Sequence, residues 1–207
     1  MSERKIARNV NDRAAALKLG LLGAISGALS WAIVDNADTL GLNFDSDKYI
    51  LLLPVGIFPG VVFGAVIALT LLATGRSRWR HAVAYAIAST VSYMAAFHVG
   101  FIILTNLQNG ESVTSYIVGG LPAGFAGSLL LGLLTRWLFP AAGRRLLGRS
   151  IVSGTLAGAL LGLAALDPHN GWGFLAFFVL WQAIYAATLF PLLSDLAPRA
   201  RTSEAAA

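Results

Sequence analysis

The length of its apolar runs constrains this chain more than anything else in it. A helix rises about 1.5 Å per residue, so about 20 apolar residues are needed to cross the hydrocarbon core of a bilayer. Six blocks meet or approach that length: residues 14–34, 49–73, 82–105, 113–139, 150–166 and 172–193, the fifth being the shortest. Hydrophobic residues make up 57% of the chain and charged residues 12%, against about a quarter charged in soluble domains. The expected fold is therefore an all-α integral membrane protein with six transmembrane helices. A basic segment, 1–13, precedes the membrane domain, 14–193. A small, polar tail, 194–207, follows it with the composition of a disordered segment.

Charge orients the bundle. With the N-terminus placed inside and the loops assigned alternately, every Lys and Arg except Lys48 falls on the inner side. The inner segments hold Arg4, Lys5, Arg8 and Arg13, then Arg76, Arg78 and Arg80, then Arg136, Arg144, Arg145 and Arg149. The outer loops carry Asp35, Asp38, Asp45, Asp47, Glu111 and Asp167. Positive residues in short loops stay cytoplasmic, so both termini are expected in the cytoplasm. The basic face then meets anionic lipid headgroups, and a nucleic-acid partner is unnecessary. Arginine far outnumbers lysine and Ala and Gly abound, which fits a bacterial inner-membrane protein. The first apolar run continues through Trp31 to Val34, past the small residue at Ser30, so it is read as a retained helix rather than a cleaved leader.

Cysteine is absent, which excludes disulfides, thiol nucleophiles and Cys-based metal sites. Enzyme signatures are missing as well: there is no nucleophile–His–acid set, no Walker loop and no HExxH. Ser92 and His98 are six apart on one helix and point to different faces. A non-catalytic role is the simpler reading, with no cofactor. A cation site built from Asp35, Asp167, His169 and His98 has no supporting short-range spacing, and turn chemistry explains the Asp167-Pro168-His169-Asn170-Gly171 stretch. No metal site is therefore assigned.

Val55-Gly56-Ile57-Phe58-Pro59 matches Val118-Gly119-Gly120-Leu121-Pro122, and a glycine follows each five residues on, at Gly64 and Gly127. The match is either a mark of three helical-hairpin repeats or a coincidence of apolar sequence. Glycine, alanine and serine also recur every fourth position in most spans. Such stripes let helix backbones approach closely.

Proline within a helix removes a backbone hydrogen bond, and matched interruptions in corresponding helices point to a substrate site. Two packing kinks are the alternative. The candidate site accordingly comprises Gly56, Pro59 and Gly60, with Gly119, Gly120 and Pro122. No charged residue lies near the middle of a span, which argues against a carboxylate proton relay or a voltage sensor. The intramembrane polar groups Tyr93, His98, Gln182 and Tyr185 complete the candidate set, either as ligand contacts or as interhelical hydrogen bonds.

In size and helix count the chain is similar to the substrate-binding S-components of energy-coupling-factor vitamin transporters, a likeness that carries no motif and no residue. The leading expectation is binding or transport of a small neutral or weakly polar solute. The alternative is a non-catalytic subunit or anchor that docks a partner protein through its basic cytoplasmic loops, and a homo-oligomer is compatible with the solute reading. That partner, or lipid headgroups, would contact Arg76, Arg78, Arg80, Arg144, Arg145 and Arg149.

Overall fold

The computed structural model describes residues 3–42, 54–107, 112–166 and 171–196. Everything regular among them is helical: α1 (Glu3–Asp35), α2 (Pro54–Ala73), α3 (Trp79–Asn106), α4 (Val113–Leu138), α5 (Pro140–Gly158), α6 (Trp172–Thr188) and the short α7 (Pro191–Ser194). A 3₁₀ segment, Ala159–Leu166, prolongs α5. Five of the helices are long and apolar enough to cross a membrane, and α6 is a shorter apolar helix. The acidic stretches around Asp45, Asp47 and Lys48, Glu111, and Asp167 with His169 lie outside the described residues, as does 197–207.

The basic N-terminal segment is helical and continuous with the first span, because α1 runs unbroken from Glu3 for 33 residues. At 1.5 Å per residue it reaches about 50 Å, well beyond a hydrocarbon core. The expected inner loop at 140–149 is also helical. Pro140 occupies the first turn of α5, where its missing N–H costs nothing and its fixed φ favours the helix. The fifth span thus begins in the basic zone. Its last eight residues are the 3₁₀ segment, whose larger rise of about 2.0 Å per residue adds roughly 4 Å over an α-helix of that length.

The helices pack in a ring in chain order. Each of α1 to α5 touches the next, and α6 closes on α1. Small residues make this closure tight. A Cβ added at Gly23 or Gly27 would run into the carbonyl oxygens of Gln182 or Phe178 on α6. At the α4–α5 seam Gly120 and Gly124 face the backbones of Gly158 and Gly154 in the same way. Gly64 sits against Ala86 on α3, and the Ser89 hydroxyl donates to the Gly60 carbonyl at 3.0 Å across the α2–α3 seam. Large residues take the opposite face: on α1, Leu17, Leu21, Ile25 and Leu29 recur every fourth position and are exposed. Lipid is as apolar as leucine, so burying leucines between helices gains little, whereas close backbone approach gains dispersion contacts.

The ring is filled unevenly. Towards the end that carries Arg76, Arg78, Arg80, Arg136 and Arg149, an apolar core of Leu71, Leu131, Phe139, Leu146, Leu189 and Leu192 packs around Phe63, Tyr85 and Tyr185. Gly75, at φ +65, ends α2 there in a left-handed turn, with its N–H on the Leu72 carbonyl at 2.9 Å. Towards the other end the centre is hollow.

Candidate functional site

Aromatic rows on two helices wall the hollow. Tyr93, Phe97 and Phe101 stand four residues apart on α3, and Phe174, Phe177, Phe178 and Trp181 form the facing row on α6. Spacings of three and four keep each row on one side of its helix. Between them α4 presents Tyr116, Gly120, Ala123 and Gly124, and α5 presents Gly158. These residues line a half-open cavity of about 350 Å³, within the usual size range of small-molecule sites. No charged side chain lines it.

The rings brace one another. Tyr93 and Trp181 are 5.3 Å apart between centroids, and Phe177 stacks on Trp181 at 5.9 Å with planes 15° apart. Such tilted and offset pairs are the arrangements the ring quadrupole favours. The glycines opposite serve the α4–α5 seam: a side chain at Gly120 would meet the α5 backbone, so the two helices can close behind the cavity only with glycine there.

A smaller chamber of about 30 Å³ adjoins the cavity on the side of the apolar core. It shares Tyr93, Ala96, Ala123, Gly124 and Trp181 with the larger space and adds Ser89, Ser92, Ser128 and Tyr185. Ser89 donates to the Gly60 carbonyl, and Ser128 to the Phe125 carbonyl at 3.1 Å. The Ser92 hydroxyl is buried with no hydrogen-bond partner in the protein. The Tyr185 hydroxyl is likewise buried with no hydrogen-bond partner in the protein. On the opposite side of the cavity, Phe174 and Phe178 also line a vestibule of about 150 Å³ with Trp31, Val34, Asp35 and Gly171. Trp31 and Trp172 stack there at 6.4 Å.

Of the residues singled out in the sequence, Tyr93, Gly60, Gly120 and Tyr185 line one or both spaces. Gly56 and Gly119 abut them as packing positions, against the Phe97 ring and Leu104. The matched interruptions are not seen. Both α2 and α4 run unbroken through Pro59 and Pro122, and Pro59 is buried while Pro122 is exposed. Neighbouring turns hold each helix together despite the lost bond. Gln182 is fully buried but turned away from the cavity: its amide donates to the Ser30 hydroxyl on α1 at 3.0 Å. His98 lies on the flank of α3 that also carries Val91 and Ile102, its Nδ1 2.7 Å from the Met94 carbonyl of its own helix.

The arginines divide similarly. The Arg76 guanidinium is taken up by the Leu196 carbonyl. Arg78 and Arg80 are exposed, with Arg80 over Trp79 at 5.6 Å. Arg149 lies over the Phe190 ring at 4.9 Å, at the basic end of an apolar groove formed by Ala16, Val152, Leu156 and Ile184. The side chains of Arg144 and Arg145 lie outside the described ones. Among the described residues no group of His and acidic side chains is placed to hold a metal.

The aromatic rows wall the candidate site, and of their members only Tyr93 was among the sequence candidates, which were otherwise polar residues, glycines and prolines. The signal was present as aromatics at positions 174, 177, 178 and 181 on one stripe of the last span. Neither a family model nor a curated protein nor a solved structure matches the chain, so its function has to be read from this geometry.

Proposed function

We propose that the chain is a multi-pass inner-membrane protein of six spans that binds or transports a small neutral or weakly polar solute in the aromatic cavity. The arginine-rich end would face the cytoplasm together with both termini, which puts the cavity in the outer half of the bilayer. The observation that carries the reading is the cavity of about 350 Å³, walled by aromatic rings and free of charged side chains. An apolar, largely preformed space of that size gains by burying a planar apolar ligand. An ion would lose its hydration there without a compensating charge.

The test begins with full-length protein extracted from native membranes in mild detergent and examined by native mass spectrometry. A small molecule retained by the wild type, and lost when Ala123→Phe fills the cavity, supports the reading. A protein that carries no small molecule overturns it. A stoichiometric protein partner held through the exposed Arg78 and Arg80 would favour the docking-subunit alternative, unless that partner were an ATPase driving transport.

A further inference from the structure

We propose that the smaller chamber is hydrated and receives the hydrogen-bonding end of an amphiphilic solute whose apolar body fills the aromatic cavity. This rests on the solute-binding reading and narrows it to a class: neutral, about one ring in size, with a single hydroxyl, carbonyl or amide at one end.

The chamber itself supplies the reasons. Ser92 is 2% exposed and its hydroxyl has no partner in the protein, and Tyr185, 4% exposed, also lines the space. Buried polar groups are nearly always hydrogen-bonded, and an orphan calls for a water, an ion or a ligand. A water molecule needs roughly 10–15 Å³ and two to four polar neighbours. The chamber has about 30 Å³ and offers both kinds of neighbour. Ser92 has a proton to give, while Ser89 and Ser128, having donated theirs to backbone carbonyls, retain lone pairs.

The chamber opens into the aromatic cavity through shared walls at Tyr93, Ala123 and Trp181. A ring lodged between the α3 and α6 rows would thus present its substituent to the serines. No charged side chain lines either space, so an ionised amine or carboxylate would arrive unpaired. Towards the basic end, Leu131 bounds the chamber and joins the apolar core, which gives the polar end of the solute a floor.

Full-length protein in nanodiscs, titrated with benzyl alcohol and with toluene and followed by ligand-observed NMR, tests this. The two probes have the same ring and differ at the polar end. Ala123→Phe gives the background from partition into lipid. Above it, benzyl alcohol should bind more tightly than toluene, and Ser92→Ala with Tyr185→Phe should shrink that preference roughly 3- to 10-fold, the worth of one hydrogen bond. Equal binding of the two probes, or a preference that survives both substitutions, overturns the polar-chamber assignment alone. Loss of specific binding for both probes would overturn the solute-binding reading with it.

Ser92→Cys provides a second measurement that does not need the double variant to fold. The chain has no other cysteine, so the new thiol reports only on this chamber. A hydrated chamber is labelled by a small methanethiosulfonate and protected by benzyl alcohol. Labelling that proceeds equally fast with and without benzyl alcohol overturns the assignment of the polar end to this chamber.

Discussion

The side-chain amide of Gln182 on α6 donates to the hydroxyl of Ser30 on α1 at 3.0 Å, and Ser30 in turn donates to the Ser26 carbonyl at 2.8 Å. This short chain pins the first and last long helices together where the ring closes. It also takes the one buried amide of the last span away from the cavity. Interhelical hydrogen bonds in membranes are worth about 0.6 kcal/mol on average and at most about 1.7. Gln182→Leu should therefore lower stability by no more than about 1.5 kcal/mol, measured by thermal unfolding in detergent, and leave solute retention unchanged. Loss of retention in a folded Gln182→Leu protein would put the site elsewhere.

Gly23 makes a harsher test of the same seam. A Cβ there would overlap the Gln182 carbonyl and come within 2.6 Å of the Ala186 side chain. Gly23→Leu should force α1 off α6, costing about 3 kcal/mol or more, at or above the usual upper range for overpacking. Gly148, beside which an added Cβ meets nothing within 4 Å, is the control. Gly148→Ala should stay within about 1 kcal/mol of wild type, with helix propensity in its favour. Monodispersity on size-exclusion chromatography and the melting temperature report both.

Trp181 touches Tyr93, Phe63 and Phe177 and lines both internal spaces. Removing it enlarges a space that already lacks filling. Trp181→Ala should cost about 3–5 kcal/mol, as large-to-small aromatic changes do, and weaken solute binding. Trp181→Phe keeps an aromatic wall and should recover most of the stability. Thermal unfolding paired with native mass spectrometry separates the two effects.

At the basic end the prediction concerns lipid. Arg149 is exposed over Phe190 at the head of the groove between α1, α5 and α6. One cation near a headgroup layer is worth about 1 kcal/mol towards anionic lipid. Arg149→Gln should reduce the anionic phospholipid that copurifies by roughly fivefold relative to phosphatidylcholine, with melting behaviour little changed. An unaltered lipid ratio would remove Arg149 from any lipid contact.

Arg76 plays a different part from the arginines beside it, since its guanidinium holds the Leu196 carbonyl. Arg76→Gln should release the chain after α7 and speed limited proteolysis beyond Ser194. The same change at Arg78, which is exposed, should not.

The sequence by itself determined the helices and where they are apolar, because both are local properties of composition and run length. It also fixed which faces of the helices pack. Gly23 and Gly27, or Gly154 and Gly158, announce close seams by their spacing alone, since only small residues permit backbone contact. The boundaries were less legible. The arginines at 144, 145 and 149 read as a loop, yet Pro140 starts the helix that contains them and runs on into the membrane-length span from Leu146.

The tertiary structure alone decided what each inward residue meets. Whether Gln182 faces a solute or Ser30, whether Pro122 faces a cavity or the outside, and whether Phe97 and Phe177 share a space depend on the order of the helices around the ring. That order is set by many weak contacts between distant segments. A buried polar residue or a proline has the same local sequence whichever neighbour it turns towards, so the site could only be assembled once the ring had closed.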